Sequence, residues 1–264
     1  MTAEMGLRFV ILGSGSRGNA AYLEAGSTRL LIDAGLSARQ IRKRVEAAGG
    51  SIEGLSGVLI THEHTDHING LRVFCKRRAI PVFCNRYTFE SMPEELAERL
   101  DVRLFENGRP FQLGAVEVES FAVLHDAADP VAFLLRTEEA TLAIATDLGH
   151  ATTLVRQRLR AAHVLVLESN HDVRMLQDHP RRPWSLKQRI LSRHGHLSNE
   201  AAGEVIREVV SERLRKLYLG HLSRECNRPE LALESALGAL EEAGARHVEV
   251  EVACQERPAS PFVA

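Results

Sequence analysis

The chain has few cysteines, few aromatic residues and no long apolar run. Its four cysteines are scattered with no C-x-x-C pair, which fits reduced thiols better than a disulfide framework. No stretch approaches the roughly 18 apolar residues of a membrane span. The first six residues also lack the apolar core of a signal peptide. We therefore expect a cytoplasmic protein that does not cross a membrane.

Neither sign of charge dominates. The 264 residues include 33 Lys and Arg against 35 Asp and Glu, for a net charge of −2, so any nucleic-acid binding must come from local patches. A hydrophobic content of 44% allows a chain of this length to bury one large core or two small ones. The sequence contains no fixed-period repeat or low-complexity linker. It leaves open whether two copies associate as a homodimer.

An early glycine-rich stretch, residues 13–18, matches the G-x-G-x-x-G pattern of dinucleotide-binding proteins, and Asp33 lies where a ribose-binding acid would be expected. That pattern requires a helix directly after the glycines, whereas residues 20–24 and 29–32 are strand-like and flank a turn. We therefore favour a β-meander over a nucleotide-binding module, which remains an alternative of another class. The loop is either a plain solvated turn or a source of donors to an anion, from Ser14, Ser16, Arg17 and Asn19.

The most informative stretch is T-H-E-H-T-D-H at residues 61–67, which follows a strand-like apolar run at residues 57–60. Imidazoles and carboxylates this close together are costly in a core unless they have partners, and a divalent metal is the simplest common partner. In an extended segment the side chains at i and i+2 point the same way, so His62 and His64 can bind one ion. Asp66 and His67 can turn to a second ion. The alternative is a polar loop that happens to be rich in histidine.

Three further candidates follow strand-like runs much later in the chain. His125 would complete a three-histidine site for zinc or manganese, unless it is a lone solvent-exposed histidine. Asp147 can bridge two ions, or it can cap the helix predicted over residues 151–159. His221 would supply the last ligand of the second ion.

Between the motif and His125 the pattern predicts a helix that begins at Ile68 and continues past Arg72 through Lys76, Arg77 and Arg78. A second helix is predicted over residues 88–100, with a kink or restart at Pro93. Residues 104–105, 110–113 and 116–121 are expected to form β-hairpins, with a turn at residues 106–108.

The H-x-H-x-D-H motif resembles the signature of the metallo-β-lactamase superfamily, as do the strand–glycine loop–strand opening and T-D-x-G at residues 146–149. The resemblance implies an α+β fold, a four-layer αββα metallo-β-lactamase sandwich formed by a single domain over residues 1–264. It also implies two divalent ions, zinc or manganese, with iron as a further candidate. Asp33 would steady the metal loop.

The same resemblance assigns the ligands. It gives His62, His64 and His125 to one ion and Asp66, His67 and His221 to the other, with Asp147 between them. A water between two cations loses its proton readily and attacks the electrophile, and Asp66 and Asp147 would orient it. Fold alone does not choose the bond that is cut, so a hydrolase of cyclic nucleotides, thioesters or lactones is an alternative.

Later motifs favour phosphodiesters. The segment G-H-L-S-N-E-A at residues 195–201 resembles the H-x-S-x-x-A element of RNase Z-like phosphodiesterases, which implies that His196 donates a proton to the leaving oxygen. Alternatively, His196 merely precedes a helix capped by Ser198. Together with G-S-G-S-x-G-N at residues 13–19, E-S-N-H-D at 168–172 and G-H-L-S-x-x-C-N at 220–227, this segment resembles the YycJ/WalJ-like branch.

That branch is associated with 5′→3′ exonuclease activity on DNA linked to repair, so DNA is the expected partner. Substrate contacts are expected from Ser14, Asn19, Asn170 and His171. Residues 174–193 contain six basic residues, one acidic residue and the lone Trp184. This composition suits a nucleic-acid backbone with a stacked base, although a solvated insertion with Trp184 plugged into the core would fit it equally well.

Overall fold

The computed structural model describes residues 6–75 and 80–264, which form two seven-stranded sheets and the helices around them. In chain order the strands are β1 (Leu7–Gly13), β2 (Ala20–Ala25), β3 (Thr28–Ile32), β4 (Gly57–Leu59), β5 (Val82–Cys84), β6 (Val102–Leu104), β7 (Phe111–Leu113), β8 (Val116–Ala122), β9 (Val131–Arg136), β10 (Thr141–Ala145), β11 (Val164–Glu168), β12 (Lys216–Gly220), β13 (Glu249–Val252) and β14 (Phe262–Val263). The helices are α1 (Ala38–Ala47), α2 (Thr65–Ile68), α3 (Leu71–Phe74), α4 (Arg86–Glu90), α5 (Glu94–Ala97), α6 (Thr153–Leu159), α7 (Val173–Asp178), α8 (Trp184–Leu191), α9 (Asn199–Val209) and α10 (Pro229–Glu242).

Strand order explains why distant parts of the chain meet. The first sheet has the order β14-β1-β2-β3-β4-β5-β6 and the second β13-β12-β11-β10-β9-β8-β7. Strands β3 to β6 are parallel to one another, as are β10 to β13. Because β8 and β10 are both antiparallel to β9, β8 also runs in the direction of β10. The carboxyl ends of β8, β10, β11 and β12 therefore lie at the same edge of the second sheet.

Three hydrophobic clusters define the layers. Side chains such as Phe9, Phe133 and Tyr218 pack between the two sheets. The cluster that contains Ile41 lies between the first sheet and its helices, and the cluster that contains Leu134 lies between the second sheet and its helices. Phe133 and Leu134 are neighbours in β9 but belong to different clusters, because successive side chains of a strand point to opposite faces. The predicted α+β, four-layer αββα sandwich is confirmed.

The glycine loop leads directly into a strand. β1, β2 and β3 are antiparallel neighbours, so the predicted meander is confirmed. The alternative of a dinucleotide-binding module on Gly13 to Gly18 was wrong, because β2 stands where the phosphate-binding helix would have to begin.

The predicted hairpin region was only partly right. β7 and β8 form an antiparallel pair, but β6 pairs with β5 in the other sheet. The turn signal at residues 106–108 therefore marks a crossing between sheets. The hairpin turn lies instead at Gly114, whose φ of 55° is in the region that favours glycine.

Two helix predictions differ in detail from the structure. The helix expected to begin at Ile68 begins earlier, as α2 within the metal motif, and a separate α3 follows; Lys76, Arg77 and Arg78 lie outside the described residues. The restart at Pro93 is confirmed, because Pro93 caps α5 just after α4 has ended. In the described part of the chain, no helix has the length and apolar character needed to cross a bilayer.

Candidate metal centre

The structure brings all seven predicted ligand residues to one edge of the sandwich. The motif follows β4, and the other three follow β8, β10 and β12. The ring centroids of His62 lie 4.6 Å from His64, 4.0 Å from His67 and 5.3 Å from His125. The centroids of His67 and His221 are 6.4 Å apart. Residues separated by more than 150 positions in sequence thus share one polar centre.

Within this centre, the potential ligand atoms form three groups in which all atoms lie within 4.8 Å of one another. The groups are His62, His64 and His125; His62, His67 and Asp147; and Asp147, Glu168, His196 and His221. Asp147 belongs to two of them, so its carboxylate lies between the two histidine clusters. Asp66 lies beside them, with Oδ2 3.7 Å from Nε2 of both His67 and His221.

Backbone strain is concentrated at the same edge. Among the described residues, only Asp33, Asp147 and His221 are non-glycine residues with positive φ, at 58°, 58° and 56°. Such conformations cost energy and persist only where surrounding contacts enforce them. Each of the three residues directly follows a strand or lies within two residues of its end, so the turn aims the side chain back over the sheet edge.

Hydrogen bonds fix the orientation of the imidazoles. His67 Nδ1 donates to Asp33 Oδ2 at 2.8 Å, and His125 Nδ1 donates to the carbonyl of Gly195 at 3.0 Å. His64 Nε2 donates to the carbonyl of Asp126 at 3.2 Å. Because a carbonyl or carboxylate oxygen can only accept, the other nitrogen of each ring is the one that would bind a metal, in its unprotonated form.

Glu168, at the end of β11, is a residue of the centre that the sequence analysis did not single out. Its Oε1 lies 2.8 Å from Nδ1 of both His196 and His221. Its Oε2 accepts from the backbone N–H groups of Leu148 and Leu197, each at 3.0 Å. The available signal was a glutamate at the end of an apolar strand, next to the strand that precedes Asp147. Thr61 was also missed; its hydroxyl contacts Asp33 and His62.

The electrostatics favour positive charge at the centre. Burial opposes ionisation of Glu168, but contacts with His196 and His221 outweigh it and lower the pKa of the carboxyl to about 2. Burial likewise opposes protonation of His67, but the carboxylates of Asp33 and Asp147 raise its pKa to about 10. By contrast, burial and the nearby imidazoles hold the pKa of His62 well below its usual range, which keeps this ring neutral.

These residues fit bound divalent metal. Three atoms of the centre, His62 Nε2, Asp147 Oδ2 and His221 Nε2, are buried without a hydrogen-bond partner among the described residues. Unpaired buried polar atoms are costly, and bound cations would give all three a partner. A donor set of imidazole nitrogens and carboxylate oxygens suits zinc, manganese and iron.

Most predicted substrate contacts are next to the metal loops. Ser14 Oγ accepts from the backbone N–H of His221 at 2.8 Å, and Asn19 Nδ2 lies 3.2 Å from Asp66 Oδ2 and 3.0 Å from His67 Nε2. Asn170 donates to the carbonyl of His221 at 2.7 Å. His171 is 1% exposed, and neither ring nitrogen has a partner among the described residues. A contact between any of these four and a substrate stays a prediction.

The ring of His196 lies inside the centre. The alternative, that His196 merely precedes a helix capped by Ser198, is right about the helix but does not account for the position of the ring. Its ring centroid is 5.0 Å from His125 and 5.1 Å from His221. Ser198 does cap α9, by accepting from the N–H of Ala201. The side chain of His196 keeps 19% exposure, whereas His125 and His221 keep at most 3%, so His196 is the histidine of this trio that solvent or a substrate can reach.

Comparison with known proteins agrees with this geometry. Residues 28–221 match the family described as a Beta-lactamase superfamily domain. Exodeoxyribonuclease YycJ of Bacillus anthracis is 40% identical over 243 residues, which are 91% of this chain and 91% of that protein. Exodeoxyribonuclease WalJ of Streptococcus pneumoniae is 36% identical over 245 residues, again 91% of each.

Among solved structures, the metallo-beta-lactamase fold protein YhfI from Bacillus subtilis has a TM-score of 0.72 and 17% identity, and the match covers 96% of this chain and 98% of that one. At this identity the likeness concerns the fold alone. The sequence relatives also support membership of a family, since they match over nearly the whole chain. The chain therefore belongs to the β-lactamase superfamily and is similar, within it, to the YycJ and WalJ proteins.

Proposed function

We propose that this protein is a metal-dependent phosphodiester hydrolase that removes nucleotides from DNA in the 5′→3′ direction, in the context of DNA repair. The observation that carries the proposal is the carboxylate of Asp147 shared by two clusters of ligand-type side chains, with His196 beside it. The two relatives that match 91% of the chain are both named exodeoxyribonucleases, which supports DNA as the substrate.

The ligand assignment is part of the proposal. His62, His64 and His125 would hold one ion, Asp66, His67 and His221 the other, and Asp147 would contact both. Two divalent ions, when bound, make a water more acidic and offset the negative charge that develops on the phosphoryl oxygens. Zinc and manganese both suit these ligands.

The chain itself would supply the proton for the leaving group. An alkoxide leaves phosphorus poorly unless it is protonated, so an acid within reach of the leaving oxygen accelerates the reaction. Burial opposes protonation of His196, but its contact with the Glu168 carboxylate raises the pKa of the imidazole. With Nδ1 held by Glu168 at 2.8 Å, Nε2 is the nitrogen that would donate the proton.

The test combines metal analysis with digestion of DNA. We expect purified protein to contain about two divalent ions per chain, and to release nucleotides from the 5′ end of DNA that is labelled at either end. Asp66→Asn should lose most of this activity and part of the metal. Asp101→Asn, at an exposed carboxylate paired with Arg103, is the matched control and should behave as the wild type.

Two results would contradict the proposal. Activity confined to a small chromogenic diester or a cyclic nucleotide would favour the small-molecule alternative. Release of label from the 3′ end alone would reverse the polarity. The link to repair would be tested by complementing a deletion strain under DNA damage with wild type and Asp66→Asn. The cytoplasmic location, the single domain and a homodimer stay predictions.

A further inference from the structure

We propose that the α7–α8 segment, residues 173–193, binds single-stranded DNA beside the metal centre and that Trp184 stacks on a base of this strand. The inference rests on the proposed nuclease function and adds a binding site to it. Three observations carry it: the exposure of Trp184, the charge of the segment, and its attachment to the residues of the centre.

Trp184 is unusually exposed for an indole. It is the first residue of α8 and 60% of its surface is accessible, so the alternative that it plugs the core was wrong. Gln188 and Leu191 follow at helical spacing on the same face and are also exposed. An exposed indole beside cations presents a π face on which a base of single-stranded DNA can stack.

The charge around the indole suits a polyanion. Residues 174–193 contain six basic residues and one acidic residue in a chain whose net charge is −2. Arg174 and Arg193 are exposed and have no ion-pair partner among the described residues. The other arginines of the segment are paired, Arg181 and Arg182 with Glu225 and Arg189 with Asp126. Cations that are not neutralised by the protein itself are available to phosphates.

Both helices of the segment are tied to the metal centre. From α8, Arg189 Nε contacts Asp126 Oδ2 at 3.0 Å, and the carbonyl of Asp126 accepts from His64. The carbonyl of Ile190, also in α8, accepts from the backbone N–H of His196 at 3.0 Å. On the α7 side, the backbone N–H of Asp172, which caps that helix, donates to the carbonyl of Cys226, in the loop that follows His221.

These contacts set the distance at which a strand would be held. Trp184 and Leu191 are separated by seven positions, which is about 10 Å along a helix. Since Ile190, near the far end of α8, contacts His196, we expect the indole to contact a base further along the strand than the reacting phosphate. Every base has a π face, so this contact would hold DNA without selecting a sequence.

The inference predicts a direct optical signal, because Trp184 is the only tryptophan of the chain. Binding of a short phosphorothioate oligothymidylate, which resists cleavage, to the metal-loaded wild type should quench tryptophan emission to saturation. Stacking on one base corresponds to a roughly 5- to 150-fold change in affinity. We therefore expect Trp184→Ala to bind a dye-labelled oligothymidylate weaker by that factor, and Trp184→Phe to recover part of the loss.

Tyr87 offers a matched control. It is 62% exposed, in α4 on the side of the first sheet, so Tyr87→Ala removes an exposed aromatic ring outside the segment. Its affinity for the oligonucleotide should equal that of the wild type. A double variant of Arg174 and Arg193 to Ala should lower the salt dependence of binding by about one unit of slope for each phosphate that is no longer neutralised.

The results separate this inference from the proposed function. Wild-type protein that digests DNA but shows unchanged tryptophan emission with saturating oligonucleotide would overturn the stacking site and leave the nuclease standing. Equal affinity of Trp184→Ala and wild type would also overturn it. A quenched indole in a protein that cleaves no DNA would support the binding site and remove the nuclease proposal.

Discussion

Replacing Glu168 with glutamine would test whether one buried carboxylate orients two imidazoles of the centre. Glu168 is fully buried and makes four hydrogen bonds, two through each oxygen, and all four partners are N–H donors. A glutamine has nearly the same shape but presents an amide NH₂ in place of one oxygen. It therefore must place a donor against donors in either orientation.

The two orientations have different consequences. If the NH₂ group faces Leu148 and Leu197, two buried backbone N–H groups lose their acceptor, at about 1–3 kcal/mol each. If it faces His196 and His221, these rings can accept its protons only by carrying their own proton on Nε2. The Nε2 lone pair of His221, which is the proposed metal ligand, is then lost.

We therefore expect stability to fall in the first orientation and metal binding in the second. Loss of a partner that orients a metal-binding histidine typically weakens metal affinity or activity by about 10- to 100-fold. The free energy of unfolding of the metal-free protein should fall by about 2–6 kcal/mol in the first orientation. Titration calorimetry with zinc and manganese would measure the affinity, and urea denaturation the stability.

Glu138→Gln, at an exposed glutamate between β9 and β10, provides the matched control and should change neither quantity. If Glu168→Gln bound metal with the affinity of the wild type and unfolded at the same urea concentration, the reasoning about Glu168 would be refuted.

Three further predictions concern catalysis, packing and the thiols. His196→Gln should lower turnover of a diester with an alkoxide leaving group by about 10²- to 10⁴-fold. It should lower turnover of a nitrophenyl diester much less, because nitrophenolate leaves without a proton. Equal losses would argue against the acid role. Gly35→Ala would place a Cβ 1.6 Å from the carbonyl oxygen of Asp66, so it should lower both the melting temperature and the metal content, whereas Gly238→Ala, in open space on α10, should lower neither. At pH 8 a maleimide should label native Cys254 first, because the other three cysteines are buried and burial raises the pKa of two of them to about 12; rapid labelling of all four would contradict the packing described.

The sequence was sufficient for the elements whose signals are local. The strand before the H-x-H-x-D-H motif, the β-meander around the glycine loop and the helix restart at Pro93 each follow from periodicity or from the stereochemistry of one residue. The partner strand of β6, by contrast, could not be predicted from a local signal. The turn signal at residues 106–108 is the same for a hairpin and for a crossing between sheets. Here it is a crossing, because β6 pairs with β5 in the first sheet.

Residue types also predicted the kind of site. Histidines and aspartates just after strands are unfavourable without a shared partner, and this pattern alone indicated metal ligands before any distance was known. The resemblance to a known superfamily then supplied the grouping of those ligands. The roles of Ser14, Asn19 and Asn170 were harder to predict, because amide and hydroxyl groups serve loops and substrates equally well.

What the sequence by itself determined is which residue types stand at the ends of its strands, since strand periodicity and side-chain chemistry are properties of short segments. Only the tertiary structure decided that Glu168 contacts two histidines that lie 28 and 53 residues further along the chain. Likewise, only the tertiary structure decided that Trp184 is exposed, on a helix that contacts the centre. Contact and exposure depend on which distant segments pack together, and in this fold the order of the parallel strands sets that packing.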